Sequence, residues 1–389
     1  MLKRIAILLL LLVLATTALA SCSSKNDSDD DDDSSPPAGD DDDNDNDDDN
    51  DTTAPLDTAR ALADTWIDTY TPETMGWSWD SGLLMLGIWE LYRQTGENRY
   101  HDYVQTWMDY HISIGYTIAF NDHVPPGRLA LRLWEETGEA KYRKVVDDTR
   151  YYIFEKADRL PDGGLNHMGW ISGQQIWVDT LFMLTFLLEL GAADDDNACF
   201  DESVLQFEVF AKHLRDADTG LYRHMYDAET DTVTPAEKDY WGRGNAWVIA
   251  ASGIALEAMP PEHEGYAGIR DRFVQQAAAM GALIDTGNRW HTIMNRPETY
   301  LETSVGPLVA SGIYHAALAG EANDSLLELA RRGLRGALDQ AVTDELGETI
   351  LLGTSYGTGP STWEMYDYVL KGEQVTYGIG ATLIAVTAR

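Results

Sequence analysis

The sequence predicts an all-α domain of twelve helices, paired into six hairpins and closed into a double ring. Three features carry this prediction. Apolar residues recur at three- and four-residue spacing through most of the chain, while strand-like alternation is scarce. A helix–turn–helix unit also repeats. Leu91-Tyr92-Arg93-Gln94-Thr95-Gly96-Glu97-Asn98-Arg99-Tyr100 returns as Leu133-Trp134-Glu135-Glu136-Thr137-Gly138-Glu139-Ala140-Lys141-Tyr142, 42 residues later. In each copy a helix can stop at Thr-Gly on a left-handed Gly, and a polar turn leads to the next helix. Repeats of this size mean hairpins packed side by side. From Pro55 to Arg389 the domain has 335 residues, about 28 for each helix with its loop. An open solenoid is the alternative, and the irregular, aromatic-rich loops favour a closed ring with a pocket at its mouth.

In chain order, the spacing predicts helices over Ala59–Tyr70, Gly82–Thr95, Tyr100–His111 and Arg128–Thr137. The run Ile176-Trp177-Val178-Asp179-Thr180-Leu181-Phe182-Met183-Leu184-Thr185-Phe186-Leu187-Leu188 is apolar nearly all round and reads as a buried helix. Leu188-Glu189-Leu190-Gly191 after it looks like a degenerate third copy of the repeat. Further helices are predicted over Asp201–Leu214, Ala246–Ala258, Tyr266–Leu283, Ser304–Ala319 and Leu326–Gln340.

The N-terminus reads as a targeting segment. Lys3 and Arg4 precede the apolar stretch Ile5–Ala15, which is short for a membrane span, and Leu19-Ala20-Ser21-Cys22 closes it. This order resembles a bacterial lipoprotein signal over 1–21, with Cys22 as the lipidated residue that anchors an exported, membrane-held protein facing the periplasm or the cell surface. Ser23 to Asp51 holds fifteen Asp and one Lys and no large apolar residue, so 22–54 is expected to be a disordered tether. The chain carries −37, of which the tether supplies −14 and the leader +2, leaving −25 on the domain at 55–389. That balance argues against nucleic acid as a partner and leaves any anionic substrate to local cations. Cys199 has no partner but Cys22, so no disulfide framework is expected.

Asp179 is the residue whose environment demands explanation. An ionised carboxylate in an apolar helix is costly unless paired, and its pKa otherwise rises. Two readings are open: a general acid tuned upward for work near neutral pH, or a structural Asp that caps a helix or pairs with an Arg. Polar and aromatic clusters sit at predicted loops and helix starts. They are Trp77-Ser78-Trp79-Asp80-Ser81-Gly82, Asn121-Asp122-His123, Gly164-Leu165-Asn166-His167, Gly220-Leu221-Tyr222-Arg223-His224 and Trp241-Gly242-Arg243-Gly244-Asn245-Ala246-Trp247. With twelve Trp and nineteen Tyr, such clusters favour a sugar site, where aromatic faces stack on rings and carboxylates and imidazoles bind hydroxyls. Arg243 between two glycines could clamp a substrate carboxylate or pair with a structural Asp. No His or Cys spacing suits zinc.

In their order, Trp77-x-Trp79-x-x-Gly82, Asp122, Gly164-x-x-His167, Trp177-Val178-Asp179, Gly220-Leu221-Tyr222-x-His224, Trp241-Gly242-Arg243-Gly244-Asn245-x-Trp247 and Tyr300-Leu301-Glu302-Thr303-Ser304 resemble the unsaturated glycuronyl hydrolases of glycoside hydrolase families 88 and 105, including unsaturated rhamnogalacturonyl hydrolases. The resemblance runs from about Ala59 to Tyr377-Gly378-Ile379-Gly380-Ala381. It implies an (α/α)6 barrel that needs no metal or organic cofactor. The implied substrate is an oligosaccharide ending in the 4,5-unsaturated uronate that lyases leave, and the implied reaction is hydration of its C4=C5 vinyl ether. Asp179 matches the general acid/base and Asp122 a second essential carboxylate. His167, His224, Trp241, Arg243 and Trp247 match substrate-contacting positions, and Trp79 an aromatic wall. Thr185, where the family often has Pro, and His123 after Asp122 mark a divergent branch. Another sugar enzyme on the same barrel, an epimerase or conventional glycosidase, and a non-catalytic glycan-binding lipoprotein are the alternatives.

Overall fold

The computed structural model describes residues 53–171 and 173–388. The expected leader, Cys22 and the expected tether up to residue 52 lie outside the described residues. The elements run α1 (Thr53–Thr69), α2 (Trp79–Thr95), α3 (Asn98–Ile114), α4 (Pro126–Thr137), α5 (Ala140–Tyr151), β1 (Gln175–Trp177), α6 (Thr180–Met183), α7 (Thr185–Asp194) and α8 (Asn197–Leu214). They continue β2 (Met225–Asp227), β3 (Thr232–Thr234), α9 (Gly242–Ala258), α10 (Tyr266–Gly281), β4 (Trp290–His291), β5 (Leu301–Glu302), α11 (Val305–Leu318) and α12 (Asp324–Leu338). Last come β6 (Ala341–Thr343), β7 (Thr349–Ser355), α13 (Trp363–Asp367), β8 (Lys371–Glu373) and α14 (Thr376–Thr387).

Helices α2, α4, α7, α9, α11 and α14 pack on one another in that order, and α14 returns to α2, so the inner ring closes. Each carries an outer partner: α3, α5, α8, α10, α12 and, for α14, α1. This is the (α/α)6 barrel, and the closure excludes an open solenoid. Position in the ring explains the sequence patterns. Inner α9 is buried from Gly242 through Leu256 and α14 from Tyr377 through Val386, which is why both are apolar on every side. Outer α12 buries one stripe, Leu326, Leu329, Ala330, Gly333, Leu334 and Ala337, and keeps its other face polar. Inner neighbours come close where both carry Gly. A Cβ on Gly253 would stand 1.9 Å from the Gly312 carbonyl oxygen, and one on Gly87 would stand 2.6 Å from that of Gly380.

The two repeat copies end alike. Gly96 (φ 72°) and Gly138 (φ 67°) are left-handed, and their N–H groups donate to the carbonyls of Tyr92 and Trp134 at 2.8 Å. Thr95 and Thr137 each donate to the carbonyl four residues back and accept the N–H two residues on. The third copy does not hold. Gly191 lies inside α7, where a Cβ would meet the Phe200 ring at 2.8 Å, and the helix ends later at left-handed Asp195. Gly191 is a packing glycine, not a stop.

The segment read as one buried helix from Ile176 is also different. Its first residues form β1, antiparallel to β2 with Ile176 opposite Tyr226, and the helix begins only after Asp179. A break at Leu184 then separates α6 from α7. An unbroken apolar run carries no mark of where a strand hands over to a helix, so periodicity alone could not divide it. Cys199 is a buried thiol on α8, 3.5 Å from Asp196 Oδ2. No helix among the described residues is long and apolar enough to cross a membrane.

Candidate active site

The N-terminal ends of the inner helices converge. Trp79 at the start of α2 packs against Trp247 of α9 and Tyr377 of α14, and Phe182 of α6 packs against Trp247 at 4.6 Å. The chain segments that lead into these ends carry the polar residues.

Asp122 lies in a single tight turn, Asn121–His123, just before α4. That turn is bound to the next loop: Asn121 N–H donates to the His167 carbonyl (3.3 Å) and Asn121 Nδ2 to that of Asn166 (3.1 Å). His167 is thereby placed with Nε2 3.4 Å from Asp122 Oδ1 and Nδ1 2.8 Å from Thr180 Oγ1, its ring stacked on Trp177 at 4.5 Å. Asp179 stands immediately before α6, and its side chain makes no capping hydrogen bond there. The β1–β2 pairing brings His224 across to it, with Nε2 3.1 Å from Asp179 Oδ2. His224 stacks on Trp241 at 4.1 Å and reaches Tyr366 Oη through Nδ1 at 2.7 Å. Both carboxylates stay reachable, with 18% and 14% of the side-chain surface of Asp122 and Asp179 exposed, against 4% for His167 and none for His224.

The electrostatics reverse the sequence expectation. Burial raises the Asp122 pKa, the negative charges of Asp179 and Asp80 raise it further, and it stands at about 8. Burial also pushes Asp179 upward, but His224, with smaller help from His167 and Arg243, outweighs it and leaves Asp179 below the ordinary Asp value. The carboxyl that keeps its proton at neutral pH is therefore Asp122, not Asp179. The raised pKa expected of Asp179 rested on a helix-interior position, and at the head of the helix the residue meets an imidazole instead. Burial lowers the His167 pKa to about 4, so its contact with Asp122 joins two neutral groups and is not an ion pair at pH 7.

Arg243, the second residue of α9, is 2% exposed. Its Nη1 donates to Ser355 Oγ and to Tyr377 Oη (2.6 Å), and its Nη2 donates to Thr358 Oγ1 (2.8 Å) and the Tyr356 carbonyl (3.3 Å). Glu302, wholly buried, is its counter-ion at 3.6 Å. The acid that faces the guanidinium is a Glu of the Tyr-Leu-Glu-Thr-Ser segment, not the Asp offered as the structural alternative. Trp241 and Trp247 are also buried, at 1% and 0% exposure, and form the wall behind the site, while Trp79 is half-buried.

All eight residues singled out in the domain therefore gather at one end of the barrel. Sequence reading missed Tyr366, Ser355 and Thr358, which come from the excursion between α12 and α14, and the electrostatic part of Asp80. Asp80 stood in a quoted cluster and could have been found; Tyr366 lies in a loop with no pattern to mark it. A cavity of about 730 Å³ lined by Arg128, Glu189, Glu257 and His315 includes neither acid. Its charges pair among themselves, Arg128 with Glu189 at 2.6 Å and His315 with Glu257.

The comparisons agree with this architecture. A glycoside hydrolase of family 105 from C. acetobutylicum superposes with a TM-score of 0.78 at 24% identity, covering 85% of this chain and 98% of that one. An unsaturated glucuronyl hydrolase from Bacillus sp. GL1 superposes with a TM-score of 0.70 at 15% identity, covering 86% and 95%. An unsaturated rhamnogalacturonyl hydrolase of Bacillus subtilis is 29% identical over 242 residues, 61% of this chain and 70% of its own length. An unsaturated 3S-rhamnoglycuronyl hydrolase of Formosa agariphila is 29% identical over 159 residues, but that match spans only 41% of its length. The profile of Glycosyl Hydrolase Family 88 matches residues 58–389, and the chain belongs to that family.

Proposed function

We propose that the protein removes 4,5-unsaturated uronic acid from the non-reducing end of lyase-generated oligosaccharides by hydrating the C4=C5 double bond. The observation that carries this reading is one reachable pair of carboxyls with unequal pKa values, Asp122 at about 8 and Asp179 below the ordinary range, each against its own histidine. Such a pair holds a single proton at neutral pH. The family membership supplies the reaction class, and relatives named for rhamnogalacturonyl, rhamnoglycuronyl and glucuronyl substrates point to a uronate.

Hydration adds a proton at C4 and a water oxygen at C5, and the water gives its second proton to the pair, so the pair's proton count is unchanged. The C5 hemiketal then opens to a ketone. The hydroxyl left on C1 shares that carbon with the glycosidic oxygen, and this hemiacetal collapses to an aldehyde and the freed saccharide. The substrate is an anion entering a domain of net −25, so a protonated Asp122 removes one repulsion at the ring. The uronate carboxylate entering beside Asp179 opposes the effect of His224 and raises the Asp179 pKa. Asp179 thereby becomes the acid toward C4 in the complex and, once ionised, the base toward water. Arg243 acts through its charge on Asp179, and Trp79 bounds the ring.

We further propose that the protein is exported and held to a membrane by lipid on Cys22, a reading supported by the order of Leu19-Ala20-Ser21-Cys22 after the apolar leader. Labelling with a radioactive fatty acid, lost on Cys22→Ala, tests it. The catalytic reading is tested by ultraviolet absorbance of the conjugated enoate, which should fall when enzyme is added to unsaturated disaccharides from pectin, glycosaminoglycan and ulvan-type digests. It should not fall with Asp179→Asn. No fall on any digest would refute the reading.

A further inference from the structure

We propose that Tyr366 is a positioning residue for this site, fixing through its hydroxyl the tautomer in which His224 presents Nε2–H to Asp179. The catalytic part of this inference rests on the proposed hydration; the tautomer part does not.

Tyr366 and His224 are both fully buried, and Tyr366 Oη is 2.7 Å from His224 Nδ1. A third group favours one direction for that bond. Ser361 N–H donates to Tyr366 Oη at 3.4 Å, so the phenol oxygen already accepts and its own proton is free to point at Nδ1. Burial raises the phenol's pKa, so that proton stays on it. With the Nδ1 lone pair engaged in this way, the ring hydrogen lies on Nε2. Nε2 is the nitrogen that faces Asp179 Oδ2 at 3.1 Å, where a donor is needed against an ionised carboxylate. The contact lacks the alignment of a full hydrogen bond in this state, and both atoms are otherwise unpartnered, so small movements of Asp179 can make or loosen it. His167, Arg243 and Asp122 also act on Asp179, and none of them is the partner of His224 Nδ1.

The anchoring of Tyr366 fits the role. The short helix α13 that carries it is pinned from outside the site by the Arg296 guanidinium over the Trp363 ring at 4.4 Å and by Tyr300 N–H donating to Asp367 at 3.0 Å. Arg296 is itself held by Asp239. The excursion between α12 and α14 thus delivers one hydroxyl to the imidazole of the site and supplies Thr358 and the Tyr356 carbonyl to Arg243.

The test uses the full domain with Tyr366→Phe, which keeps the ring and removes the hydroxyl. Imidazole nitrogen NMR, with the His224 signal identified by its loss in His224→Gln, should show the wild-type ring protonated on Nε2 with Nδ1 accepting. In Tyr366→Phe the Nδ1 signal should move to that of a nitrogen without a donor. On an unsaturated disaccharide, kcat should fall roughly tenfold with KM changed by less than about twofold, the size of one lost buried hydrogen bond. A wild-type His224 protonated on Nδ1, an unmoved Nδ1 signal in the variant, or an unchanged kcat would each overturn the proposal. The NMR arm is decided even if no digest is turned over, so failure of the hydration reading is distinguishable from failure of this one.

Discussion

Replacing Asp122 by Asn should free the fold from a pH-dependent penalty that the wild type carries. In the folded protein Asp122 holds its proton up to about pH 8, whereas an unfolded Asp releases it near 3.8. The sign follows from proton counts: between these two values the native state binds one proton more than the unfolded chain, so stability falls as pH rises. The penalty is absent below the unfolded value, grows across the interval and is complete above about 8. At about 1.4 kcal/mol for each pKa unit, the displacement sets a ceiling on the order of 6 kcal/mol. Water reaching the exposed part of the side chain brings a realistic figure to about 2–4 kcal/mol. Asn copies the neutral carboxamide-like shape and cannot ionise. Denaturant unfolding of both proteins at about pH 5 and about pH 9 isolates the effect, because the −25 domain charge acts on both alike. The variant should gain on the wild type by about 2 kcal/mol or more between the two conditions. A stability difference that does not change with pH would refute the assignment of the proton to Asp122.

Asp80→Asn removes one of the two charges that raise the Asp122 pKa, so the alkaline limb of kcat/KM should move to lower pH than the wild-type limb near 8; an unmoved limb would show that Asp80 does not act on Asp122. The pH profile of kcat/KM reports the free enzyme and that of kcat the complex, so the acidic limb, where the one-proton pair takes up a second proton, should lie at higher pH in kcat than in kcat/KM because the bound uronate favours protonation beside Asp179. Coincident acidic limbs would mean that the bound uronate does not raise Asp179. Gly253→Ala forces a Cβ against the Gly312 carbonyl between α9 and α11 and should cost about 1–3 kcal/mol in denaturant unfolding, while Gly96→Ala, strained only by its positive φ at an open helix end, should cost about 1 kcal/mol. Equal losses at both positions would argue against the close approach of the inner helices.

The barrel was legible in the sequence because its repeat is local. The Thr-Gly stops are read by the backbone around them, and the structure places Gly96 and Gly138 in the same left-handed cap. Gly191 failed as a third stop because an identical residue type serves a contact between helices there, and sequence spacing does not separate a cap from a close approach. The site was legible as a set of residues, since each lies at the start of an inner helix or in the loop before it. Its charge states were not. The pKa of Asp179 depends on His224, which lies 45 residues further on and is brought over by a three-residue strand pairing. Arg243 had a structural or a substrate partner open to it, and only the fold brings Glu302, Ser355 and Tyr377 to it. Tyr366 was invisible for the same reason, as its function lies in one long-range contact with His224.

The central claim is that water adds across C4=C5 under control of the Asp122–Asp179 pair, and position of isotopic label in the products tests it most directly. Turnover of an unsaturated disaccharide in heavy-oxygen water, and separately in deuterium oxide, should place oxygen label on C5 and deuterium on C4 of the released uronate. Both labels should disappear with Asp179→Asn. Label entering at the anomeric carbon with the double bond intact would contradict the account.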